Sequence, residues 1–164
     1  MLNSSAKWIW INDNPLDNEY AVFEEKFQFS GKKTVFSVCA EIDYVLYVNG
    51  KLASFGQFAG YPQHKYCDEI DITEFCAHGE NVLTLTVRYE GLNSHIHIAD
   101  GAGVIYSLDS EEGNITYSHK GTLGGYDNRY IQHTTRKITG QIGYGTHMRV
   151  GDYVCDIPCV EVQK

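Results

Sequence analysis

Three groups of residues in this chain carry side chains suited to chemistry. The first is acidic: Glu24-Glu25, Asp68-Glu69 and Glu111-Glu112. Hydrolysis of a glycosidic bond uses two carboxylates that face one another across that bond. Adjacent residues of a strand point to opposite faces, so these pairs make no such dyad. The second is the stretch NSHIHIAD, where His95 and His97 stand two apart near Asp100. On a strand they share a face and offer imidazole nitrogens to a metal, although alternating histidines are more commonly polar surface. Asn93 and His95 alternatively line a sugar pocket at the strand end. The third is the set Cys39, Cys67, Cys76, Cys155 and Cys159. Cys155 and Cys159 form a C-x3-C pair, but no second pair stands at zinc-finger spacing. No catalytic residue, metal ligand or cofactor is assigned from these groups.

The aromatic loop QFAGYPQHKY is the strongest candidate for binding. It offers Phe58, Tyr61 and Tyr66 beside Gln57, Gln63, His64 and Lys65. Sugars present apolar C–H faces that stack on rings, while their hydroxyls need polar partners. Pro62 stiffens the loop and lowers its ordering cost. The simpler expectation is that these rings cover the end of the fold. Phe58, Tyr61, His64, Tyr66, Asn93 and His95 are therefore the residues expected to contact a sugar.

The elements that must position them are strands. Leu83, Leu85, Val87 and Tyr89 alternate with Thr84, Thr86 and Arg88, as a half-buried strand requires. Phe27 and Phe29 alternate with Lys26 and Gln28. Val35 to Ala40 reads as a more fully buried strand, and Tyr44 to Val48, apolar on both faces, as a central one. Asn49-Gly50 is a strong hairpin signal because both residues tolerate positive φ. Ile96 and Ile98 alternate with the two histidines. Ala102–Leu108 and Asn114–Tyr117 read as strands joined by a turn at Ser110 to Gly113. In DITEFCAHGEN, Thr73 is expected to cap a single helical turn that Gly79 ends. Many short strands separated by turns predict an all-β, antiparallel jelly-roll sandwich. Residues 1–164 form one domain on this reading, with a Gly- and Tyr-rich, loop-rich region at 119–149. Val150 to Val162 adds a last strand.

The chain has 164 residues and is 43% hydrophobic, enough for one sizeable core. Its net charge of −8 argues against nucleic acid as a partner. No apolar run is long enough to span a membrane. The start of the chain has no signal-peptide pattern, and the odd number of cysteines suggests reduced thiols, so a cytoplasmic setting is expected. Between His119 and Arg149, Lys120, Arg129, Arg136, Lys137 and Arg149 face only Asp127. This basic stretch reads as a solvated face or as a docking surface for another domain or subunit.

Several segments also fall into a recognisable order: AKWIW, then YAVFEEKFQF, then FSVCAEIDYVLYVNGKLASFG, then YCDEIDITEFCAHGENVLTLTV and AGVIYSLD. Over roughly residues 6 to 110 this order resembles the N-terminal β-sandwich domain of bacterial α-L-rhamnosidases, a galactose-binding-like jelly roll. The sugar-binding domain of β-galactosidase-type enzymes has a related grammar, and the early Trp-Ile-Trp favours the rhamnosidase side. The resemblance implies a non-catalytic accessory domain. Rhamnosidases of this kind are inverting hydrolases whose two carboxylates lie on a separate (α/α)6 barrel, so no catalytic residue is carried over. The implied partners are the catalytic domain of a larger enzyme, or a second subunit, and a rhamnose-containing carbohydrate. An autonomous carbohydrate-binding module using Tyr61, His64, Tyr66 and His95, or an interaction domain without ligand, are the alternatives.

Overall fold

A computed structural model describes residues 2–57, 61–95, 97–133, 137–141 and 143–164. In chain order the strands are β1 (Ile9–Trp10), β2 (Glu19–Phe29), β3 (Thr34–Ala40), β4 (Asp43–Val48), β5 (Lys51–Gly56), β6 (Asp68–Asp71) and β7 (Gly79–Tyr89). They continue with β8 (Val104–Ser110), β9 (Gly113–Tyr117), β10 (Leu123–Tyr126), β11 (Lys137–Thr139), β12 (Gly143–Tyr144), β13 (Ile157–Pro158) and β14 (Val160–Glu161). One sheet runs β14-β1-β8-β3-β6, with β9 also paired to β8, a second runs β13-β10-β2-β7-β4-β5, and β11 and β12 pair as a separate two-stranded sheet. Every pairing is antiparallel.

Period-two patterning explains how the sheets face each other. Phe36, Val38 and Ala40 of β3 and Val104, Tyr106 and Leu108 of β8 bury against Tyr44, Leu46 and Val48 of β4 and Leu83, Leu85 and Val87 of β7. Trp10 and Phe23 complete this centre, with ring centroids 6.1 Å apart. Burying one such side chain contributes about 2 kcal/mol, so the facing strands supply most of the driving force. Glu24 and Glu25 do point to opposite faces: Tyr106 Oη donates to Glu25 Oε1 at 2.6 Å, while Tyr153 Oη donates to Glu24 Oε2 at 3.4 Å.

Two strands depart from the expected burial. β7 is covered on both faces, since Thr84 and Thr86 are buried as well. The cover is the Gly- and Tyr-rich third, which is more than loop. Its β10 joins β2, and Tyr130 stacks on Tyr20 at 4.4 Å with the rings 6° from parallel. Arg129 lies over the Tyr153 ring at 4.8 Å and the Tyr47 ring at 6.0 Å. β4 is internal to its sheet, but Val45 and Tyr47 on its second face are only half-buried. The last segment makes two short strands instead of one: β13 pairs with β10 and β14 with β1, and buried Cys159 sits at the crossing. The chain thereby laces together one lateral side of the sandwich.

The Asn-Gly turn carries more than a hairpin. Asn49 and Gly50 hold φ of 51° and 74°, as the tight turn from β4 to β5 requires. Asn49 Nδ2 donates to Asn81 Oδ1 at 2.8 Å, and Asn49 Oδ1 accepts from Val82 N at 3.0 Å. Buried Asn81 also takes a bond from Ala77 N and donates to the carbonyls of Ala77 and Gly79, each at 2.8 Å. The two asparagines, 32 residues apart in sequence, are thus one structural unit. Asn81→Ala leaves these backbone groups unpaired and is expected to destabilise the fold by about 2 kcal/mol, read as a lower urea midpoint.

Thr73 does not cap the short 3-10 turn Thr73–Phe75; it is the first residue inside it. Asp71 Oδ1 accepts from Thr73 N at 3.1 Å, and Thr73 Oγ1 accepts from Thr34 N at 2.9 Å. The hydroxyl therefore pins β3 across the sheet edge. Gly79, with φ of 91°, begins β7 and does not end the turn.

Candidate functional site

The side of the sandwich opposite the lacing is open. There β5 ends one sheet and β6 ends the other. Between them runs a groove of about 730 Å³ lined by Ser54, Phe55 and Gly56 of β5, Asp68, Glu69 and Ile70 of β6, and Tyr44, Gln57, Tyr66 and Cys67. Tyr44 bridges the sheets across its floor by donating from Oη to Asp68 Oδ2 at 2.8 Å. Burial, and then this hydrogen bond, raise the Tyr44 phenol above the ordinary tyrosine range, which keeps it a donor. Gly56 is required for this approach: a Cβ there would stand 2.8 Å from Asp68 Oδ2 and 3.3 Å from Tyr44 Oη.

Two rings stand at the groove largely uncovered. Phe55 is 75% exposed and Tyr66 is 74% exposed. Phe55 lies opposite Val45 in the β4–β5 pairing and also lines a second, mostly apolar groove of about 490 Å³ with Val45, Tyr47 and Leu52. A surface that combines exposed rings with a few fixed polar groups can hold a ligand that has both an apolar face and hydroxyls.

The sequence-predicted residues are sorted by the structure. Tyr66 lines the groove; Phe58 lies outside the described residues. Tyr61 is 65% exposed and His64 is exposed, but neither is among the residues lining the groove. The expectation that these rings cover the end of the sandwich is met instead by polar side chains of the same loop. Gln57 Oε1 accepts from Ala40 N at 3.1 Å, and Gln57 Nε2 donates to the carbonyls of Val38 and Tyr66. Lys65 Nζ donates to the Glu41 carbonyl at 2.8 Å. Gln57 and Lys65 hold the loop in place and are committed to backbone groups.

The histidine stretch corrects the expectation most sharply. Among the described residues, which leave out Ile96, no strand forms at His95 to Ile98, and the two histidines do not share a face. His95 is exposed, while His97 is fully buried with its Nε2 3.0 Å from Glu41 Oε1. The cause is local: Gly91, at φ 78°, turns the chain, Asn93 Oδ1 accepts from Ala99 N at 2.7 Å, and Ser94 N donates to the His97 carbonyl at 2.9 Å. Asn93 and His95 sit on this compact loop and do not line the groove. Its link to the aromatic loop is Glu41, whose carboxylate meets His97 and whose carbonyl meets Lys65. Among the described residues, no three His, Cys, Asp or Glu side chains are grouped to hold a metal.

The sequence-based candidates missed Phe55, Asp68 and Tyr44. Phe55 had a signal, since it opens the run of aromatics that continues to Tyr66. Asp68 was visible only as half of an acidic pair and Tyr44 only as a strand residue, because their juxtaposition depends on how the two sheet edges meet.

The basic stretch is partly consumed within the fold. Arg129 Nη2 lies 2.7 Å from Asp127 Oδ2, Lys137 Nζ donates to the Asn93 carbonyl at 2.9 Å, and Arg149 Nε donates to the Asn128 carbonyl at 2.9 Å. Arg136 lies outside the described residues.

Compared with solved structures, a GH78 family rhamnosidase of Bacillus sp. GL1 matches with a TM-score of 0.81 and 20% identity over 90% of this chain and 16% of that one. The chain shares the fold of an α-L-rhamnosidase domain. The α-L-rhamnosidase of Aspergillus terreus matches at a TM-score of 0.56 and 16% identity, over 79% of this chain and 17% of that one. A lectin from Pleurotus ostreatus, solved with GalNAc, matches at 0.50 and 17% identity over 75% of this chain and 36% of that one. The chain thus spans about a sixth of the length of these two rhamnosidases. No protein-family model and no curated protein matches the sequence. The rhamnosidase-type sandwich is an antiparallel, nearly all-β fold, as expected from the period-two pattern.

Proposed function

We propose that this chain is a non-catalytic accessory domain of a larger, rhamnosidase-type glycoside hydrolase, and that it contacts carbohydrate through the β5–β6 groove. The observation that carries this reading is the pair of exposed rings, Phe55 and Tyr66, beside the Tyr44–Asp68 floor. The fold likeness to a rhamnosidase domain and to a lectin supports it. The rings supply stacking faces, and Asp68, Glu69, Ser54 and Tyr44 supply polar groups for hydroxyls. The neighbouring apolar groove of Val45, Tyr47, Leu52 and Phe55 faces the rest of the enzyme in this proposal. A cytoplasmic setting is part of it, supported by the odd number of cysteines.

The test is a titration of the isolated chain with L-rhamnose and with N-acetylgalactosamine, following backbone amides by NMR. Saturable shifts at Ser54–Gln57 and Tyr66–Ile70 are the expected result. Tyr66→Ala should weaken the response about tenfold, which corresponds to about 1.4 kcal/mol, and Phe55→Ala should do the same. Both rings are exposed, so neither change should unfold the chain. Silence at tens of millimolar sugar, roughly the weakest useful affinity, removes carbohydrate contact and leaves a scaffold.

A further inference from the structure

The pairing of β3 with β6 brings two cysteines together. Its register is Val35 with Asp71, Phe36 with Ile70, Ser37 with Glu69 and Val38 with Asp68. Continued one step past the last of these pairs, the same register sets Cys39 opposite Cys67. Ile72 N donates to the Thr34 carbonyl at 3.0 Å, which marks Thr34 and Ile72 as a hydrogen-bonded pair. Antiparallel positions alternate, so Cys39 and Cys67 occupy a non-hydrogen-bonded position, where Cα atoms stand roughly 4.5 Å apart. A disulfide accepts Cα separations of about 4.4 to 6.8 Å. Each thiol is among the groups that shift the titration of the other, as neighbouring side chains do. Cys39 is buried and Cys67 is exposed, so an external oxidant has one sulfur to reach.

We propose that Cys39 and Cys67 are an oxidation site that closes into a reversible cross-strand disulfide, pinning the end of the aromatic loop to β3. Gln57 already ties the start of that loop to β3 through Ala40 and Val38. The disulfide ties its other end, one residue beyond Tyr66.

A small disulfide such as oxidised glutathione is the co-reactant. The Cys67 sulfur, as thiolate, attacks one glutathione sulfur; the S–S bond breaks, and one glutathione leaves and takes up a proton. Cys39 then loses its proton, and its sulfur attacks the Cys67 sulfur and expels the second glutathione. Two protein thiols are oxidised, and one oxidised glutathione is reduced to two thiols. Burial pushes the Cys39 thiol up to about 12 and also raises Cys67. Formation therefore speeds up as pH rises, because only the thiolate attacks.

The test incubates the full chain with oxidised glutathione at pH 7 and pH 9, blocks remaining thiols, and maps peptides by mass spectrometry. The expected product is a Cys39 peptide joined to a Cys67 peptide, lighter by about 2 Da than the reduced pair, formed faster at pH 9. Cys67→Ser, a change at an exposed position, should abolish it, and so should Cys39→Ala. The double variant Cys155→Ser with Cys159→Ser should retain it. Glutathione that stays on Cys67 without linkage, or linkage only between Cys155 and Cys159, overturns the proposal. The disulfide does not depend on carbohydrate binding. A reduced chain that ignores sugar but forms the link defeats only the carbohydrate proposal, and a chain that binds sugar but never links defeats only this one.

Discussion

Asp127→Ala is expected to lower the stability of this chain by about 4 kcal/mol, the scale of breaking a buried ion pair. Asp127 is fully buried, and every part of it is used. Its carboxylate accepts from Thr86 Oγ1 at 2.8 Å, from Arg129 Nε at 2.8 Å and from Arg129 Nη2 at 2.7 Å. Its backbone N donates to the Tyr20 carbonyl, and its carbonyl accepts from Tyr130 N and Gln132 Nε2. Alanine keeps Asp127's own backbone bonds but removes the acceptor of Thr86 Oγ1 and of Arg129 N, Nε and Nη2, leaving Arg129 and Thr86 with their bond to each other. Asp127→Asn keeps acceptor capacity for one donor and should lose about half as much. Urea unfolding followed by tryptophan fluorescence measures both. Equal midpoints for Asp127→Ala and the unmodified chain would mean that the covering segment is not fastened through this pair.

Trp10→Ala should be comparably damaging, at about 4 kcal/mol, through the cavity it leaves. Trp10 has no exposed surface and packs its ring against Phe23 and, at 6.2 Å, against Tyr89. Its Nε1 donates to Glu19 Oε1 at 2.7 Å. Buried Glu19 also accepts from Asn12 Nδ2 at 2.9 Å and from Leu16 N at 3.2 Å. The substitution thus removes the largest core ring and one of three donors to a buried carboxylate. Trp10→Phe separates the two effects: the ring volume is mostly kept and one donor is lost, for about 2 kcal/mol. Circular dichroism against urea is the suitable readout, because the substitution removes a fluorophore. A Phe variant as unstable as the Ala variant would assign the whole effect to the Glu19 bond.

Much of the fold is legible in the amino-acid sequence, and for local reasons. Alternation at Leu83 to Tyr89 names the inner face of β7 without knowledge of its neighbours. Asn49-Gly50 sets a turn because only a few residues accept its φ angles. The resemblance over residues 6 to 110 belongs to the same class, since its motifs are turns and strand ends. The second face of β7 is not legible in this way. Thr84 and Thr86 look like solvent-facing residues until Asp127, Arg129 and Tyr130 are folded over them, and those residues lie more than 40 positions away in the chain.

The site divides along the same line. Tyr66 is visible as an aromatic in a polar loop, and it does line the groove. His95 and His97 are visible as an alternating pair, yet one is exposed and the other is buried on Glu41. Periodicity assumes a strand, and a glycine turn with an Asn93 loop closure replaces it. The sequence by itself determined the strands at Val35–Ala40, Tyr44–Val48, Leu83–Tyr89 and Ala102–Leu108, the Asn49-Gly50 turn and that the whole is a β-sandwich, because these follow from side-chain alternation and backbone freedom within a few residues. Only the tertiary structure decided which side of the sandwich is laced and which stays open, that Tyr44 reaches Asp68, that Phe55 and Tyr66 remain uncovered, and that the register sets Cys39 opposite Cys67. Those outcomes depend on the order of strands and the meeting of two sheet edges, contacts between residues far apart in the chain that no local pattern encodes.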